Sequence, residues 1–294
     1  MERGDIMAKM KDIKDYQVRE SHNKAVDVII WILLGIWTVV NLFPFYWMIA
    51  FSLKDEREVF SNKFGLPKHW AWENYKAAVE SGNIGKNYLN SVIVAVATIL
   101  ITLIASCMAT YALTRIRWRG AGLVHKMFLL GITIPVQASI VPVFLVLNKL
   151  KLRGSYLAMI LPYSAFALSM GILICAGFMT EIPKDLDEAA YIDGCGRGRT
   201  FFKVIVPLMK PAVATVSIYT FMQCWNELIF ATIFIDKSEL FTVPVGIQAL
   251  VGRFTSNWGQ VGAALAIATL PTVFVYILLS RRIQESFIAG AIKG

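Results

Sequence analysis

Six apolar stretches follow one another along this sequence, and they restrict its fold more than any other feature. They run approximately over residues 28–51, 91–113, 127–147, 156–178, 212–235 and 261–280. A helix of about 20 apolar residues crosses the roughly 30 Å hydrocarbon core of a bilayer, and lipid offers no partner to unpaired backbone groups. Strands of a membrane β-barrel would be about 10 residues long and would alternate apolar and polar positions, which these stretches do not do. The sequence therefore predicts an all-α integral membrane protein with six transmembrane helices.

The composition agrees with a membrane location. Of the 294 residues, 56% are hydrophobic and 17% are charged, and the mean hydropathy is +0.58, which is too apolar for an ordinary soluble domain. The first stretch is longer than the core of a signal peptide and no small-residue cleavage site follows it, so we expect it to be retained. The four cysteines match neither a disulfide framework nor the spacing of a metal site. We predict that the chain binds no metal.

The distribution of positive charge predicts the orientation of the spans. The connections 112–126 and 179–210, together with both tails, contain 18 lysines and arginines, whereas the connections on the other side contain 11. Both termini are therefore predicted to be cytoplasmic. The predicted organisation is a cytoplasmic N-terminal tail over 1–25, a six-helix transmembrane domain over 26–280 and a cytoplasmic C-terminal tail over 281–294. We interpret the net charge of +9 as a consequence of this topology and not of nucleic-acid binding.

One predicted external loop is long and covers residues 53–87. It carries Trp70, Trp72 and Tyr75, and Tyr88 follows directly after it. Aromatic side chains of this kind suit the membrane–water interface. They equally suit the surface of a partner protein, and both interpretations remain open.

The long cytoplasmic connection contains the most informative segment, residues 182–207. Pro183 suits the first turn of a helix, where its missing N–H is no loss. Acids near a helix N-terminus are favoured by the helix dipole, and three occur here: Asp185, Asp187 and Glu188. Gly194 would end this helix, and an amphipathic segment begins at Thr200. We predict two short helices at an angle, an arrangement that any surface helical hairpin could also have.

The order of residues in this segment resembles a known signature. It reads Glu188-Ala189-Ala190, then Gly194 after three residues, then Val204-Ile205-Val206-Pro207 after nine more. This order resembles the EAA signature of permease subunits of ATP-binding-cassette importers, with valine at two positions where the family favours isoleucine and leucine. Further similarity lies at residues 43–47, 72–75, 134–135, 225–227 and 289–294. Together these segments resemble the MalG-type permeases of carbohydrate importers.

The resemblance implies a MetI-like permease that imports a sugar or an oligosaccharide across the bacterial cytoplasmic membrane. In such proteins the EAA coupling loop, here 182–207, holds a cytoplasmic coupling helix between spans 4 and 5, which docks in a groove of the ATPase subunit. The implied docking residues are Glu188, Ala189, Ala190, Asp193, Gly194 and Pro207. The C-terminal tail is implied to reach between two ATPase subunits through Gly290, Lys293 and Gly294.

The resemblance also implies partners. These are a second permease that completes a heterodimer, two copies of an ATP-binding subunit and an extracytoplasmic solute-binding protein. The sequence itself contains no Gly-x-x-x-x-Gly-Lys-Ser/Thr phosphate loop, and the glycine-rich run 194–199 lacks the lysine and the preceding strand. We therefore expect ATP and Mg on the partner ATPase, and neither a cofactor nor catalytic residues on this chain.

Polar residues within the apolar stretches are the candidates for a substrate pathway. Glu227 is the only acid well inside a stretch, and an unpaired charge near the bilayer centre costs about 3 kcal/mol or more, so it should face protein or water. The predicted pathway residues are Gln137, Gln223, Trp225, Asn226 and Glu227. A sugar site combines such amides, carboxylates and aromatic rings, but the same groups could hold the partner permease.

Prolines that bend or break a helix would support the pathway interpretation. The candidates are Pro135, Pro142, Pro162 and Pro271. Two alternatives for the function remain. The same machinery could import another solute, such as a phosphorylated polyol. A secondary transporter would usually show ionisable relays and inverted repeats, which are not evident in this sequence.

Overall fold

The computed structural model describes residues 24–251 and 257–291, with side chains up to residue 278. Within these residues the chain is helical and contains no strand. The helices are α1 (Lys24–Ser52), α2 (Glu56–Ser61), α3 (Glu73–Glu80), α4 (Ile84–Thr114), α5 (Ala121–Leu130), α6 (Ile140–Lys149), α7 (Leu157–Glu181), α8 (Asp185–Ile192), α9 (Arg197–Leu208), α10 (Lys210–Trp225), α11 (Ile229–Phe234), α12 (Val243–Leu250) and α13 (Trp258–Ala291). Short 3₁₀ turns occur at Gly131–Thr133, Val136–Ser139 and Ser238–Leu240. The all-α prediction is confirmed.

Four of these helices are long and apolar enough to cross a membrane: α1, α4, α7 and α13. Two bent pairs bring the number to six if each pair is one span. The first pair, Ala121–Thr133 with Val136–Lys149, bends by 99°, and the second, Arg197–Leu208 with Lys210–Trp225, bends by 76°. Among the described residues, those up to Met48 belong to one compact unit and those from Ile49 onward to another.

The third apolar stretch is not the continuous helix predicted over 127–147. Ile134 is extended, with ψ 118°, and Pro135 continues with ψ 121°. A proline disfavours helical backbone in the residue before it, which explains the break. The other three prolines do not interrupt their helices, because Pro142 lies in the first turn of α6 while α7 and α13 run on through Pro162 and Pro271. Of the four prolines that were predicted to bend or break a helix, Pro135 therefore lies at a break, and the other three lie in continuous helices.

The fifth stretch also differs from the helix predicted over 212–235. Helix α10 ends at Trp225 and α11 begins at Ile229, so residues 226–228 are a break between two helices. The second helix, predicted from Ser91, in fact begins at Ile84. The connection that was expected to be a loop over 53–87 is therefore shorter, and it contains α2 and α3.

The centre of the second unit is formed by α4 and α7, which pack along their lengths, with α10 against both. Small residues permit this close approach. A Cβ atom added to Gly171 of α7 would lie 3.0 Å from Cβ of Ser106 on α4. The thiols of Cys107 and Cys175, which are free, lie 3.9 Å apart at the same interface. A buried apolar cluster continues from these cysteines through Met179 to Phe201 and thereby holds α9 against the helix pair.

The connection 53–83 is held by hydrogen bonds of two buried charged side chains, Lys54 and Glu58. The ammonium of Lys54, which is fully buried, donates to the carbonyls of Asn62 and Lys63, and its burial lowers the Lys54 pKa. The carboxylate of Glu58 accepts from Nδ2 of Asn62 at 2.9 Å and from the backbone N–H of Lys68 at 2.8 Å. The bond from Asn62 is the main reason that the pKa of Glu58 is lowered. This connection is therefore an ordered element.

Candidate functional site

Helix α8 and the turn after it have the local geometry that the sequence predicts. Asp185, Asp187 and Glu188 lie in the first turn of the helix, where they interact favourably with the helix dipole. Gly194 follows the C-terminal end with φ 76°, a left-handed conformation in which glycine is favoured. The N–H of Gly194 donates to the carbonyl of Tyr191 at 3.0 Å, and that of Cys195 to the carbonyl of Ala190 at 2.9 Å.

The outer surface of this hairpin exposes large apolar side chains. Tyr191 is 78% exposed and Ile192 is 84% exposed, and Phe202 of α9 is also exposed. Of the predicted docking residues, Glu188, Ala189 and Asp193 are exposed as well, whereas Ala190 is buried against the rest of the protein. Exposed apolar side chains grouped in this way usually mark an interaction surface. The surface formed by Glu188, Ala189, Tyr191, Ile192 and Phe202 is called the hairpin surface below.

Helix α9 turns the chain from the hairpin toward α10. It includes a π-helical turn over Phe201–Ile205, followed by Pro207, which has no N–H to donate to a preceding carbonyl. Phe201 is buried, and its ring centroid lies 5.1 Å from that of Tyr111 on α4. Tertiary packing thus fixes α9, and Pro207 lies just before the 76° bend that leads into α10.

Arg115 links the hairpin to the pair of α4 and α7. In the sequence analysis this arginine counts only among the positive charges that predict the orientation of the spans. Arg115 follows the last residue of α4, and its Nη1 donates to Oδ2 of Asp187 on α8 at 2.8 Å. Its Nη2 donates to the carbonyl of Met179 at 2.7 Å and to that of Ile182 at 2.5 Å, both at the C-terminal end of α7. The Arg115 side chain is 5% exposed and that of Asp187 is 22% exposed. A pocket beside this pair is lined by Arg117, Glu188 and Arg197, among others.

A second candidate site lies at the break between α10 and α11. The carboxylate of Glu227 accepts from the hydroxyl of Tyr163 on α7 and from the backbone N–H groups of Phe230 at 2.9 Å and Ala231 at 3.1 Å. The expectation that Glu227 faces protein or water agrees with these contacts. Glu227 and Gln223 line one recess together with Tyr163 and Tyr219. Sequence reasoning missed both tyrosines.

The other predicted pathway residues are not brought into this recess. Trp225 is 3% exposed, and its Nε1 donates to the carbonyl of Ala268 at 3.0 Å. It is a core residue in this structure. Asn226 is exposed and donates to the carbonyl of Met222 at 2.9 Å. Gln137 is exposed on a 3₁₀ turn, and its neighbour Val136, not Gln137, lines the recess.

Comparison with known proteins decides the family. The sequence profile described as "Binding-protein-dependent transport system inner membrane component" matches residues 101–288. The chain belongs to this family of inner membrane components. The matched region includes α7 through α12, and hence both candidate sites.

Named relatives of this inner membrane component are similar over most of their length. This chain is 34% identical over 263 residues to the diacetylchitobiose uptake system permease protein NgcG of Streptomyces coelicolor, and the match covers 89% of this chain and 87% of the relative. It is 34% identical over 281 residues to the trehalose/maltose transport system permease protein MalG of Thermococcus litoralis, covering 94% of this chain and 100% of the relative. The inner membrane ABC transporter permease protein YcjP of Escherichia coli is 30% identical over 267 residues, covering 89% and 94%.

A solved structure has the same fold. The crystal structure of a bacterial ABC transporter involved in the import of the acidic polysaccharide alginate matches this inner membrane component with a TM-score of 0.80. The match covers 89% of this chain and 98% of that chain, at 20% sequence identity. The fold is therefore the MetI-like fold of importer permeases.

The predicted tail contacts of this inner membrane component fall largely outside the structure. Lys293 and Gly294 lie outside the described residues, as does the N-terminal tail up to residue 23. Gly290 lies near the end of α13, which continues to Ala291 beyond the expected start of the tail at 281. Within the described residues no cluster of three or more metal-ligating side chains occurs.

Proposed function

We propose that this chain is a permease subunit of an ATP-driven importer for a sugar or an oligosaccharide in the bacterial cytoplasmic membrane. The hairpin surface is the observation that carries the proposal, because it presents Glu188 beside exposed Tyr191 and Ile192 on a hairpin anchored to the helix bundle. A soluble partner with a complementary groove would cover these apolar side chains. A sugar as cargo is supported by the names of the relatives NgcG and MalG.

In this proposal the bent pair of α5 and α6 is one span, and α10 with α11 is another, whereas α9 lies on the cytoplasmic side. Six spans then cross the membrane and both termini are cytoplasmic. Helix α8 is then the cytoplasmic coupling helix, and the predicted docking residues from Glu188 to Pro207 face or support the ATPase. The asymmetry of positive charge supports this orientation. Lys149, Lys151 and Arg153 are left on the outer side, where Arg153 is paired with Asp236 at 2.8 Å.

The mechanism follows from rigid-body motion. ATP binding draws two ATPase subunits together, and a helix docked in a groove of one of them is displaced with it. Because α8 is joined to α7 directly and to α10 through α9, its displacement re-orients spans on both sides of the pathway. Alternating access results when the outward-facing arrangement is favoured by the ATP-bound state and the inward-facing one by its absence.

The proposed assembly contains this chain, a second permease, two copies of the ATP-binding subunit and an extracytoplasmic solute-binding protein. ATP and Mg bind to the ATPase subunits, where hydrolysis takes place, and this chain binds no cofactor. The C-terminal residues Gly290, Lys293 and Gly294 contact the ATPase pair in this proposal.

The recess at Glu227 is the proposed point where this chain meets the substrate or the second permease. Its carboxylate and the side chains of Gln223 and Tyr219 offer hydrogen-bonding groups beside apolar Val136 and Phe166. Sugars need this combination, since they carry many hydroxyls and apolar ring faces. Asn226 and Gln137 are exposed and remain candidates, whereas the buried Trp225 supports the recess from behind.

The test begins with purification of the tagged chain from native membranes in mild detergent and identification of every protein that co-purifies. An ATPase subunit, a second permease and a solute-binding protein are expected. The variant Glu188→Lys should lose the ATPase subunit while it still inserts, because it reverses the charge at the docking helix. Glu80→Lys, which changes another exposed glutamate at the end of α3, is the matched control. Retention of the ATPase by Glu188→Lys would contradict the docking role.

Growth of a deletion strain on a panel of carbon sources then identifies the cargo class. Loss of growth on one sugar or oligosaccharide is expected, with rescue by the wild-type chain. A growth defect confined to a phosphorylated polyol would indicate the same transport machinery with a different cargo.

A further inference from the structure

We propose that Arg115 is a positioning residue that ties the coupling helix α8 to α4 and α7, so that the three helices move as one body during transport. The inference rests on the proposed docking of α8 in the ATPase. It assigns a role to a residue that lies outside the EAA segment, 72 positions before its partner Asp187.

The bonds of Arg115 join three different elements. The residue follows the end of α4, its Nη1 reaches Asp187 in the first turn of α8, and its Nη2 reaches the carbonyls of Met179 and Ile182 at the end of α7. The guanidinium therefore lies between the C-terminal end of one helix and the N-terminal end of the next. The last carbonyls of a helix have no partner within it, and a cation there also interacts favourably with the helix dipole.

Arginine suits this position better than lysine. Its planar guanidinium carries five N–H donors in a fixed geometry, so that it can bond a carboxylate and two carbonyls at once. A lysine ammonium is a single point charge on a flexible stem and would hold fewer of these groups in place. The site is also well protected from water, since the Arg115 side chain is 5% exposed, and separating a buried ion pair leaves an uncompensated charge.

Apolar packing alone holds α8 weakly. Of its eight residues only Ala190 is buried, and among the described elements the helix packs mainly against α9, including its π-helical turn. The chain on either side of α8 has points where it could turn, at Ile182 with ψ 120° and at Gly194 with φ 76°. Within the described part of the chain, the ion pair with Arg115 is the side-chain link from α8 to α4 and to the end of α7.

Loss of this link has a specific consequence. The hairpin surface would still dock on the ATPase, because Tyr191, Ile192 and Glu188 are exposed whereas the Arg115 side chain is only 5% exposed. ATP would still be hydrolysed. The displacement of α8 would be absorbed by rotation about the two turning points, and less of it would reach the spans. The expected defect is a lower number of substrate molecules imported per ATP hydrolysed.

The experiment uses the complete transporter, with its partner subunits, reconstituted in proteoliposomes with the sugar identified by the growth test. Arg115→Gln removes the positive charge of the ion pair, and Asp187→Asn removes the negative charge with little change in shape. Arg115→Lys keeps the positive charge. Matched controls are Arg119→Gln and Asp185→Asn, which change exposed residues in the same two segments. Import, ATP hydrolysis and the amount of bound ATPase subunit are measured for each variant.

We expect Arg115→Gln to retain the ATPase subunit and its hydrolysis, and to lower the ratio of import to hydrolysis by about tenfold, in the range usual for loss of coupling between two sites. Asp187→Asn should lower the ratio less, because the bonds to the two carbonyls remain, and Arg115→Lys should lie between wild type and Arg115→Gln. The two controls should keep the wild-type ratio.

A wild-type ratio of import to ATP hydrolysis in Arg115→Gln would overturn the proposal, whether or not both rates fall. If Arg115→Gln fails to assemble, Asp187→Asn decides, and a wild-type ratio in that variant overturns the proposal equally. Failure of the proposed docking is a separate result, since it appears as retention of the ATPase subunit by Glu188→Lys and not as a changed ratio in the Arg115 variants.

Discussion

The hydroxyl of Tyr163 on α7 donates a hydrogen bond to the carboxylate of Glu227, across the break between α10 and α11. The same carboxylate accepts the N–H groups of Phe230 and Ala231, which begin α11. One acid therefore satisfies the free N-terminal groups of a short helix and joins that helix to a neighbouring one. An acid within this apolar stretch is tolerated because it has hydrogen-bond donors within the protein.

Removal of the tyrosine hydroxyl should weaken this junction. Tyr163→Phe is expected to lower the free energy of unfolding by about 1–3 kcal/mol, because it takes a donor from a carboxylate that remains in place. Thermal unfolding of the detergent-solubilised chain measures the change. Tyr219→Phe is the matched control, since the Tyr219 hydroxyl accepts only a 3.3 Å bond from the exposed Gln223. Equal stability of the two variants would show that the bond to Glu227 contributes nothing.

The turn after α8 should require glycine at position 194 but not at position 196. At Gly194 the backbone has φ 76°, and Gly194→Ala is expected to destabilise the hairpin by about 1–2 kcal/mol, the cost of left-handed backbone in an ordinary residue. Gly194→Asn should be milder, because asparagine tolerates this conformation. The readouts are thermal unfolding and recovery of the ATPase subunit.

Gly196 is the control for this turn, because its φ is −71° and a Cβ there would meet nothing within 4 Å. Gly196→Ala should behave as wild type in both measurements. A Gly196→Ala defect as large as that of Gly194→Ala would mean that chain flexibility, and not the sign of φ, matters at this turn.

Close packing of α4 on α7 should make Gly171 intolerant of larger side chains. A Cβ there would lie 3.0 Å from Cβ of Ser106 and 3.4 Å from Cγ2 of Thr102. Gly171→Leu is expected to cost about 1–3 kcal/mol or to prevent folding, because the two helices would have to separate. A Cβ at Gly177 on the same helix would meet nothing within 4 Å, so Gly177→Leu should be tolerated better. Comparable yields of folded protein for the two variants would contradict this account of the interface.

The connection 53–83 should loosen in acid because of Glu58. Its pKa is lowered in the folded protein, mainly by the bond from Asn62. A group with a lowered folded pKa stabilises above its unfolded value, about 4.3 for glutamate, and this contribution is lost as the pH falls through the folded pKa. Proteolysis of this connection should therefore accelerate as the pH drops below about 4.

The variant Glu58→Gln should lose this pH dependence and be cleaved faster at neutral pH. Glu56→Gln changes an exposed carboxyl in the same helix and should leave the profile of the wild type in place. A wild-type profile in Glu58→Gln would assign the acid sensitivity to another group.

Local features of the protein follow directly from its amino-acid sequence. Hydrophobic stretches predict membrane helices, Pro135 predicts the break that divides the third stretch, and Gly194 predicts the end of α8. Each of these depends on the conformational preferences of one or two residues or on the apolar character of about 20 neighbouring ones. The order of residues in the EAA segment likewise indicates the family without knowledge of the fold.

The candidate sites, in contrast, depend on contacts between residues far apart in sequence. In the sequence, Arg115 is only one of many positive charges that predict the orientation of the spans. The sequence also suggests a pathway role for Trp225, which is instead buried and bonded to Ala268, 43 residues later. Tyr163 meets Glu227 across 64 positions. These pairings have no local signal, because each joins residues from distant parts of the chain.

The division between the two kinds of feature has a physical reason. The helical membrane class and the turn that ends α8 can be predicted from the sequence, because they depend on local backbone and hydrophobic preferences. The burial and pairing of polar side chains are set by tertiary contacts, because a buried charge or amide is stable only where distant segments bring its hydrogen-bond partners to it.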